Sequence, residues 1–260
     1  MIIVPKDAKS AEAEAAPKAV GTPSDPPPTY TSETPPEASG PSSAPLISPQ
    51  PAIKRSNYVS ISRTNEAVKG TWYLDPALTI PAALLPPLVG DDTEDTRRNF
   101  NLQSSNGQID ADITIAPYDP STDSKKLGRR TTMYARSSNG NIAVKVHDPK
   151  SPRRPIYINA YSSNGGVSVS LPRSFEGLIG IKTHNGSSKF SAETSAQLTT
   201  FSDVNKMRRC FIGDYSKMAD NQEWTGDEVA VETYNGSVKL QYVDEVSEPG
   251  KGFFGRLFGL

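Results

Sequence analysis

The sequence has few of the residues on which most catalytic and metal sites are built. Its 260 residues include one cysteine, Cys210, and two histidines. A lone cysteine excludes an internal disulfide framework and is typical of a reducing compartment. No HxH, CxxC, GxSxG or phosphate-binding glycine loop occurs in the chain. We therefore expect a protein that is not an enzyme, with no catalytic residue, no cofactor and no metal ion.

Net charge and long apolar runs are also scarce. The formal net charge is −1, so nothing global attracts nucleic acid, and a nucleic-acid partner is not expected. The apolar run near the start covers only Ile2 to Val4, whereas a signal peptide needs about 7–15 apolar residues. The longest apolar stretch, 76–89, contains prolines and is shorter than the roughly 20 residues of a membrane span. We expect an intracellular, cytoplasmic protein without a signal peptide or a transmembrane helix.

The first 52 residues differ in composition from the rest of the chain. Hydrophobic residues make up only 35% of the whole sequence, and this segment is dominated by proline, serine, threonine, alanine and glutamate. Such a segment cannot bury enough apolar surface to become ordered, so we predict a disordered arm over 1–52. Within it, Pro27, Pro28 and Tyr30 form a Pro-Pro-x-Tyr motif that resembles a WW-domain ligand, which predicts a protein partner.

Residues 53–245 contain a repeat centred on Asn-Gly pairs. Apolar residues alternate on both sides of each pair, and a serine or threonine stands two positions before the asparagine. A sixth copy is centred on Asn65, where Glu66 replaces the glycine. The predicted turn-forming residues are Asn106 and Gly107, Asn139 and Gly140, Asn164 and Gly165, Asn185 and Gly186, and Asn235 and Gly236.

This pattern predicts an all-β fold of about six to seven strand–NG-turn–strand repeats, because alternation with period two indicates half-buried strands. Asn-Gly pairs tolerate positive φ at tight reversals, so we expect the repeat glycines to adopt it. Two architectures remain open. In a β-solenoid or β-roll each repeat pairs with the next, whereas in a sandwich of stacked β-hairpins each repeat pairs with itself.

The spacing of the repeats favours the solenoid. Only 21 positions separate Asn164 from Asn185, which suits one coil. A degenerate repeat centred on Asn205 is predicted in the gap that follows, with Phe201, Cys210 and Ile212 in the core. Cys210 is then a core residue rather than a nucleophile.

Charged residues between and within the repeats have a simple interpretation. Basic clusters at 125–130, 150–154 and 206–209 are typical of solubilising loops that discourage edge-to-edge aggregation. Asp110 and Asp112 alternate along one predicted strand and should lie on its solvated face.

The segment 246–260, called the tail below, is unusually apolar. If it is wound as a helix, one face carries Phe253, Phe254, Leu257, Phe258 and Leu260. Two hypotheses remain open: peripheral contact with a membrane surface, or a cap folded over the end of the repeat domain. The oligomeric state is not predicted.

Segments such as "NFNLQSSNGQIDADI", "LPRSFEGLIGIKTHNG" and "WTGDEVAVETYNGSVKLQYVDE" together resemble a known family. From about Tyr58 to Glu245 the chain is similar to an uncharacterised fungal family of domains of unknown function. Its repeats also resemble bacterial adhesin domains of the head GIN type, which form β-solenoids. The resemblance implies an all-β solenoid and brings no catalytic residues with it.

Two functions fit these observations. The first is a non-enzymatic scaffold or interaction module with an adhesin-like repeat domain. The alternative is a β-solenoid that binds or modifies carbohydrate or lipid in a lateral groove. A groove lined by carboxylates and aromatic rings favours the alternative, and a uniformly polar face favours the first.

Overall fold

The computed structural model describes residues 53–118, 129–149, 152–217 and 224–245 of the chain. The predicted disordered arm, with its Pro-Pro-x-Tyr motif, and the apolar tail lie outside the described residues. The described part is almost entirely β. It has one short helix, α1 (Ala192–Gln197), and 3₁₀ turns at Ala82–Leu84, Tyr215–Lys217 and Val243–Glu245. None of the described helices has the length and hydropathy that a membrane span requires.

The described strands form two open sheets in which most neighbours are parallel. In spatial order, sheet A contains β1 (Arg55–Ser56), β3 (Val68–Leu74), β5 (Ile109–Ile115), β7 (Ile142–His147), β9 (Val167–Leu171), β15 (Val238–Tyr242) and β11 (Ser188–Phe190). Sheet B contains β12 (Leu198–Val204), β13 (Met207–Ile212), β10 (Gly177–Thr183), β14 (Asp227–Thr233), β8 (Ile156–Ser162), β6 (Thr131–Ser137), β4 (Phe100–Ser104) and β2 (Val59–Arg63).

Each Asn-Gly turn connects a strand of sheet B to a strand of sheet A. The two strands beside one turn do not pair with each other, which excludes the self-paired hairpins of the sandwich alternative for these repeats. They pair instead with equivalent strands of neighbouring repeats, in register. Ser104, for example, lies opposite Ser137, and Ser137 lies opposite Ser162.

The core lies between the two sheets and is built from every second residue of each strand. In β5, Ile109, Ala111 and Ile113 are buried, while Asp110 and Asp112 face outward. This alternation is the predicted one, because successive side chains of a strand point to opposite faces. On the outer face Asp110 lies 3.7 Å from the Lys145 ammonium and Asp112 lies 3.0 Å from the His147 ring, as expected for a solvated surface.

The order of the repeats in space differs from their order in the sequence. The repeat of Asn235 lies between those of Asn164 and Asn185, because β14 pairs with β8 and β10, and β15 pairs with β9 and β11. Asn164 and Asn185 are therefore not in adjacent repeats, and the short spacing between them was misleading. A short spacing along the chain allows two repeats to be neighbours. It does not exclude that a repeat from further along the chain lies between them.

The predicted degenerate repeat at Asn205 is wrong. β12 and β13 form an antiparallel hairpin within sheet B instead of contributing one strand to each sheet. Asn205 and Lys206 have φ angles of 52° and 62°, the conformation of a two-residue hairpin turn. Cys210 lies in the core as expected, whereas Phe201 is 58% exposed on the edge strand.

The repeat glycines do not have positive φ, contrary to the sequence prediction; among the described glycines only Gly90 and Gly213 do. The repeat glycines are required instead because the backbones of neighbouring repeats pack closely at these positions. A Cβ atom on Gly140 would lie 2.0 Å from the carbonyl oxygen of Gly107 in the preceding repeat. Glu66 is tolerated in the equivalent place because its repeat is the outermost one at this end of the stack.

Hydrogen bonds connect the turns of neighbouring repeats into ladders. The Ser137 hydroxyl accepts from the Gly140 N–H at 2.8 Å and donates to the Gly107 carbonyl at 3.2 Å. The buried hydroxyl therefore satisfies a backbone group in each of two repeats. Asparagine side chains form a second ladder with donor–acceptor distances of 2.6–2.9 Å, running through Asn65, Asn106, Asn139, Asn164, Asn235 and Asn185.

Candidate functional site

The outer face of sheet B carries a trough where its strands present small side chains. In one row across the sheet, Arg209 of β13 pairs with Gly180 of β10, which pairs with Ala230 of β14, which pairs with Asn159 of β8. Residues paired across a sheet point to the same face. Gly180 and Ala230 therefore form a low floor between the longer side chains of Arg209 and Asn159.

The rows on either side close the ends of this floor. One adjacent row contains Met207, Lys182, Glu232 and Tyr161, and the other contains Leu178 and Glu228. Together with Arg136 on β6, these side chains enclose about 570 Å³. We call this concavity the trough. Its size lies within the range of small-molecule binding sites.

Gly180 keeps the trough open without serving the packing of the fold. A Cβ atom there would meet only the Val229 carbonyl oxygen, at an ordinary contact distance of 3.9 Å. Its φ does not fall in the left-handed region. A glycine inside a strand weakens the strand by about 0.5–1 kcal/mol relative to alanine, so its presence calls for another reason. The geometry suggests one reason for the glycine: the missing side chain leaves space above the strand.

The two carboxylates of the trough are poorly arranged for acid–base catalysis. Glu228 and Glu232 lie four residues apart on β14, which separates their Cα atoms by about 13 Å. The paired carboxyl groups of glycosidases converge on one bond at a separation of about 5–9.5 Å, whereas here Glu228 contacts Arg130 and Glu232 contacts Lys182 and His184. Hydrogen bonds from Lys182, at 2.9 Å, and from His184, at 3.1 Å, lower the pKa of Glu232, although its partial burial acts in the opposite direction. A lowered pKa opposes proton donation, which a general acid requires.

Two arginines of the trough have no carboxylate partner among the described residues. Arg136 lies with its guanidinium carbon 4.8 Å from the centre of the Tyr161 ring, a cation–π contact. Arg209 is exposed, and its side chain makes no hydrogen bond or ion pair with the described residues. By contrast, Arg130 at the margin of the trough is 2.6 Å from Glu228. The trough thus combines a small apolar floor, an amide and two available guanidinium groups.

The turn-forming pairs and the cysteine that the sequence singled out lie outside the trough or beneath it. The Asn-Gly pairs occupy the turns between the sheets, away from the trough. Cys210 lies beneath sheet B in the core, where burial raises the pKa of its thiol, although the hydroxyl of Thr200 acts in the opposite direction. No group of metal-binding side chains occurs in the described ranges.

The basic clusters are not uniformly solubilising. The Arg153 and Asp227 side chains are each only 7% exposed, and they form a two-point ion pair with distances of 2.9 and 2.7 Å. Asp227 also accepts from the backbone N–H groups of Ile156 and Glu176. This cluster fastens the start of β14 to its neighbours, so its arginine was wrongly assigned to a solvated loop.

The trough itself was not predicted. Its floor brings together β10 and β14, which are distant in the sequence, and their contact depends on the insertion of β14 between β8 and β10. A weak signal was present in "GLIGIKT", where Gly180 occupies an outward position of a clear alternation. A glycine at such a position has no role in the buried face and indicates close approach of another group.

The two sheets of mostly parallel strands and the trough define a class: an all-β protein with a concavity on the outer face of one sheet. Within that class the chain belongs to the family DUF7330, a domain of unknown function, whose profile matches residues 57–245.

Comparison with curated proteins finds no significant match. Among solved structures, the chain is similar to one described as a "putative cell adhesion protein" from Clostridium sporogenes, with 12% identity and a TM-score of 0.38. The similarity covers 73% of this chain and 96% of the other. It is too remote to support a statement about the fold or the function.

Proposed function

We propose that this protein is a non-enzymatic interaction module that binds an oligosaccharide in the trough of sheet B. In this proposal the stacked repeats are a β-solenoid that acts as a rigid support for the site. The observation that carries the proposal is Gly180, which leaves space above a strand although backbone packing does not require a glycine there.

The chemistry of the trough suits a sugar better than a wholly apolar ligand. Its floor offers apolar contact from Ala230 and Leu178, and Asn159 and the two arginines offer hydrogen bonds around it. Sugar rings present both kinds of surface, with C–H groups on their faces and hydroxyl groups at their edges. The positions of Glu228 and Glu232, described above, support binding without hydrolysis.

A glycan array and a titration test the proposal. The probes are soluble neutral and acidic oligosaccharides, and the key variant is Gly180→Leu, whose side chain would fill the floor. Ser168→Leu, at the outward second position of β9 in sheet A, is the matched control. We expect binding by the native protein and by the control, and a loss of at least tenfold in affinity for Gly180→Leu. Absence of binding to every probe, or equal binding by all three proteins, would contradict the proposal.

Other contacts of the module remain proposals based on the sequence. The Pro-Pro-x-Tyr motif of the arm provides one route to a protein partner, and the tail provides one to a membrane surface. A peptide spanning Ser24 to Thr34, titrated against WW domains beside its Tyr30→Ala form, tests the first route. Equal binding of both peptides would remove the motif from consideration.

A further inference from the structure

The balance of charges in the trough narrows the class of ligand. Of its two carboxylates, Glu232 contacts Lys182 and His184, and Glu228 contacts Arg130. The remaining charges belong to Arg136 and Arg209. We propose that the trough binds an acidic oligosaccharide with carboxylates on separate sugar units. This inference rests on the proposed function and adds the charge and minimum length of its ligand.

Guanidinium groups are well suited to carboxylates, because their planar N–H groups can donate two parallel hydrogen bonds to the two carboxylate oxygens. The Tyr161 ring supports the Arg136 group from one face, which leaves the in-plane N–H groups available. Arg209 is exposed on the opposite wall. Charge complementarity therefore favours a ligand with negative charges near both walls.

The separation of the two arginines indicates an oligomer rather than a single sugar. Arg209 lies on β13 and Arg136 on β6, four strands apart in sheet B. At about 4.8 Å per strand, their Cα atoms are about 19 Å apart. One carboxylate could contact both guanidinium groups only if Arg136 left the Tyr161 ring and both side chains extended over the floor. A chain of sugars can contact both groups where they are, because it can lie on the floor of Gly180 and Ala230 and continue past Asn159 towards Arg136.

The test compares three probes of matched chemistry: a tetramer of galacturonic acid, a tetramer of galactose, and galacturonic acid alone. Affinities are measured by titration calorimetry for the native protein and for Arg136→Gln, Arg209→Gln and Arg63→Gln. Arg63, at the end of edge strand β2 in the same sheet, is the control, since its substitution removes the same charge outside the trough, two strands beyond Arg136.

We expect the acidic tetramer to bind at least tenfold more tightly than the neutral tetramer or the acidic monomer. Each trough substitution should weaken the acidic tetramer about tenfold or more and leave the neutral tetramer unchanged. Arg63→Gln should have little effect. Raising the salt concentration should weaken only the acidic probe, because ionic contacts are screened.

The outcomes separate this inference from the proposed function. Equal affinity for both tetramers, unaffected by the arginine substitutions, would overturn the acidic ligand and leave oligosaccharide binding intact. A monomer that binds as tightly as the acidic tetramer would overturn the oligomer. No binding of any of the three probes would contradict both proposals. Vesicles of anionic phospholipid are then titrated as a fourth probe, and binding to them alone would replace the saccharide by a lipid headgroup.

Discussion

Two glycines of this domain lack a side chain for opposite reasons, and the difference is visible only in three dimensions. Gly140 lies against the carbonyl of Gly107 in the preceding repeat, so that the space for a Cβ atom is already filled. Gly180 lies beneath open space, and a Cβ atom would fit there. In the sequence both are glycines beside alternating residues. Gly140 is required by the packing of neighbouring repeats, whereas Gly180 leaves space on the outer face of sheet B.

These two positions give a matched pair of substitutions. Gly140→Ala should lower the free energy of unfolding by about 1–3 kcal/mol, because the new methyl group displaces the backbone of the neighbouring repeat. Gly180→Ala should be neutral or stabilise by up to about 1 kcal/mol, because alanine reduces the entropy of the unfolded chain. Urea denaturation followed by circular dichroism measures both. Equal effects at the two positions would contradict the distinction.

The buried thiol of Cys210 gives a second prediction for a single residue. Only the thiolate reacts with alkylating reagents, and burial both raises the pKa of this thiol and blocks access to it. We expect no labelling by iodoacetamide at pH 8 in the native protein and complete labelling in urea. Mass spectrometry counts the modified molecules, and rapid labelling without denaturant would show that Cys210 is not a core residue.

Among the elements, β14 and β15 have the largest effect on the arrangement of the others. They connect β10 and β11 to the preceding repeats, because β8 and β9 have no described pairing with β10 or β11. A stack of repeats is stabilised through contacts between neighbours. Loosening the inserted repeat should therefore release one end of the stack before the other.

Asp227→Asn tests this coupling at the start of β14. The substitution leaves the buried Arg153 with only the longer contact of 3.9 Å to the Asp148 carboxylate, which should cost about 3–5 kcal/mol. Hydrogen exchange should increase in β10, β11 and β13 more than in β3 and β5. Asp203→Asn is the control, since it breaks the more exposed pair with Arg208 and should cost at most about 1 kcal/mol. Uniform loss of protection along the stack would contradict the coupling.

At the scale of the whole molecule, local patterns predicted the strands and the core. They did not predict which strands are neighbours in each sheet. Alternation around Asn106, Asn139 and Asn164 was sufficient to predict the buried and exposed faces, because that pattern depends only on strand geometry. The insertion of the Asn235 repeat was not predictable, since all repeats carry similar turns. The trough depends on that insertion and was missed for the same reason.

The last prediction concerns the tail and the open edge of sheet B. β12 exposes Phe201 and Val204, with 58% and 60% of their surfaces accessible, and an apolar edge strand favours association with other chains. The chain reaches Glu245 beside Ser191, with a distance of 2.7 Å between the carboxylate and the hydroxyl, at the start of the helix that leads into β12. The tail therefore follows a point close to the exposed edge.

We expect the apolar residues of the tail to cover this edge. Replacing Phe253, Phe254, Leu257 and Phe258 by serine should lower the melting temperature and increase hydrogen exchange in β12 while β2 is unchanged. Deletion of 252–260 should have the same effect, which controls for any new contact made by the serines. If exchange in β12 is unaffected and the variants instead lose co-sedimentation with lipid vesicles, the tail binds a membrane surface. If neither property changes, both hypotheses are wrong.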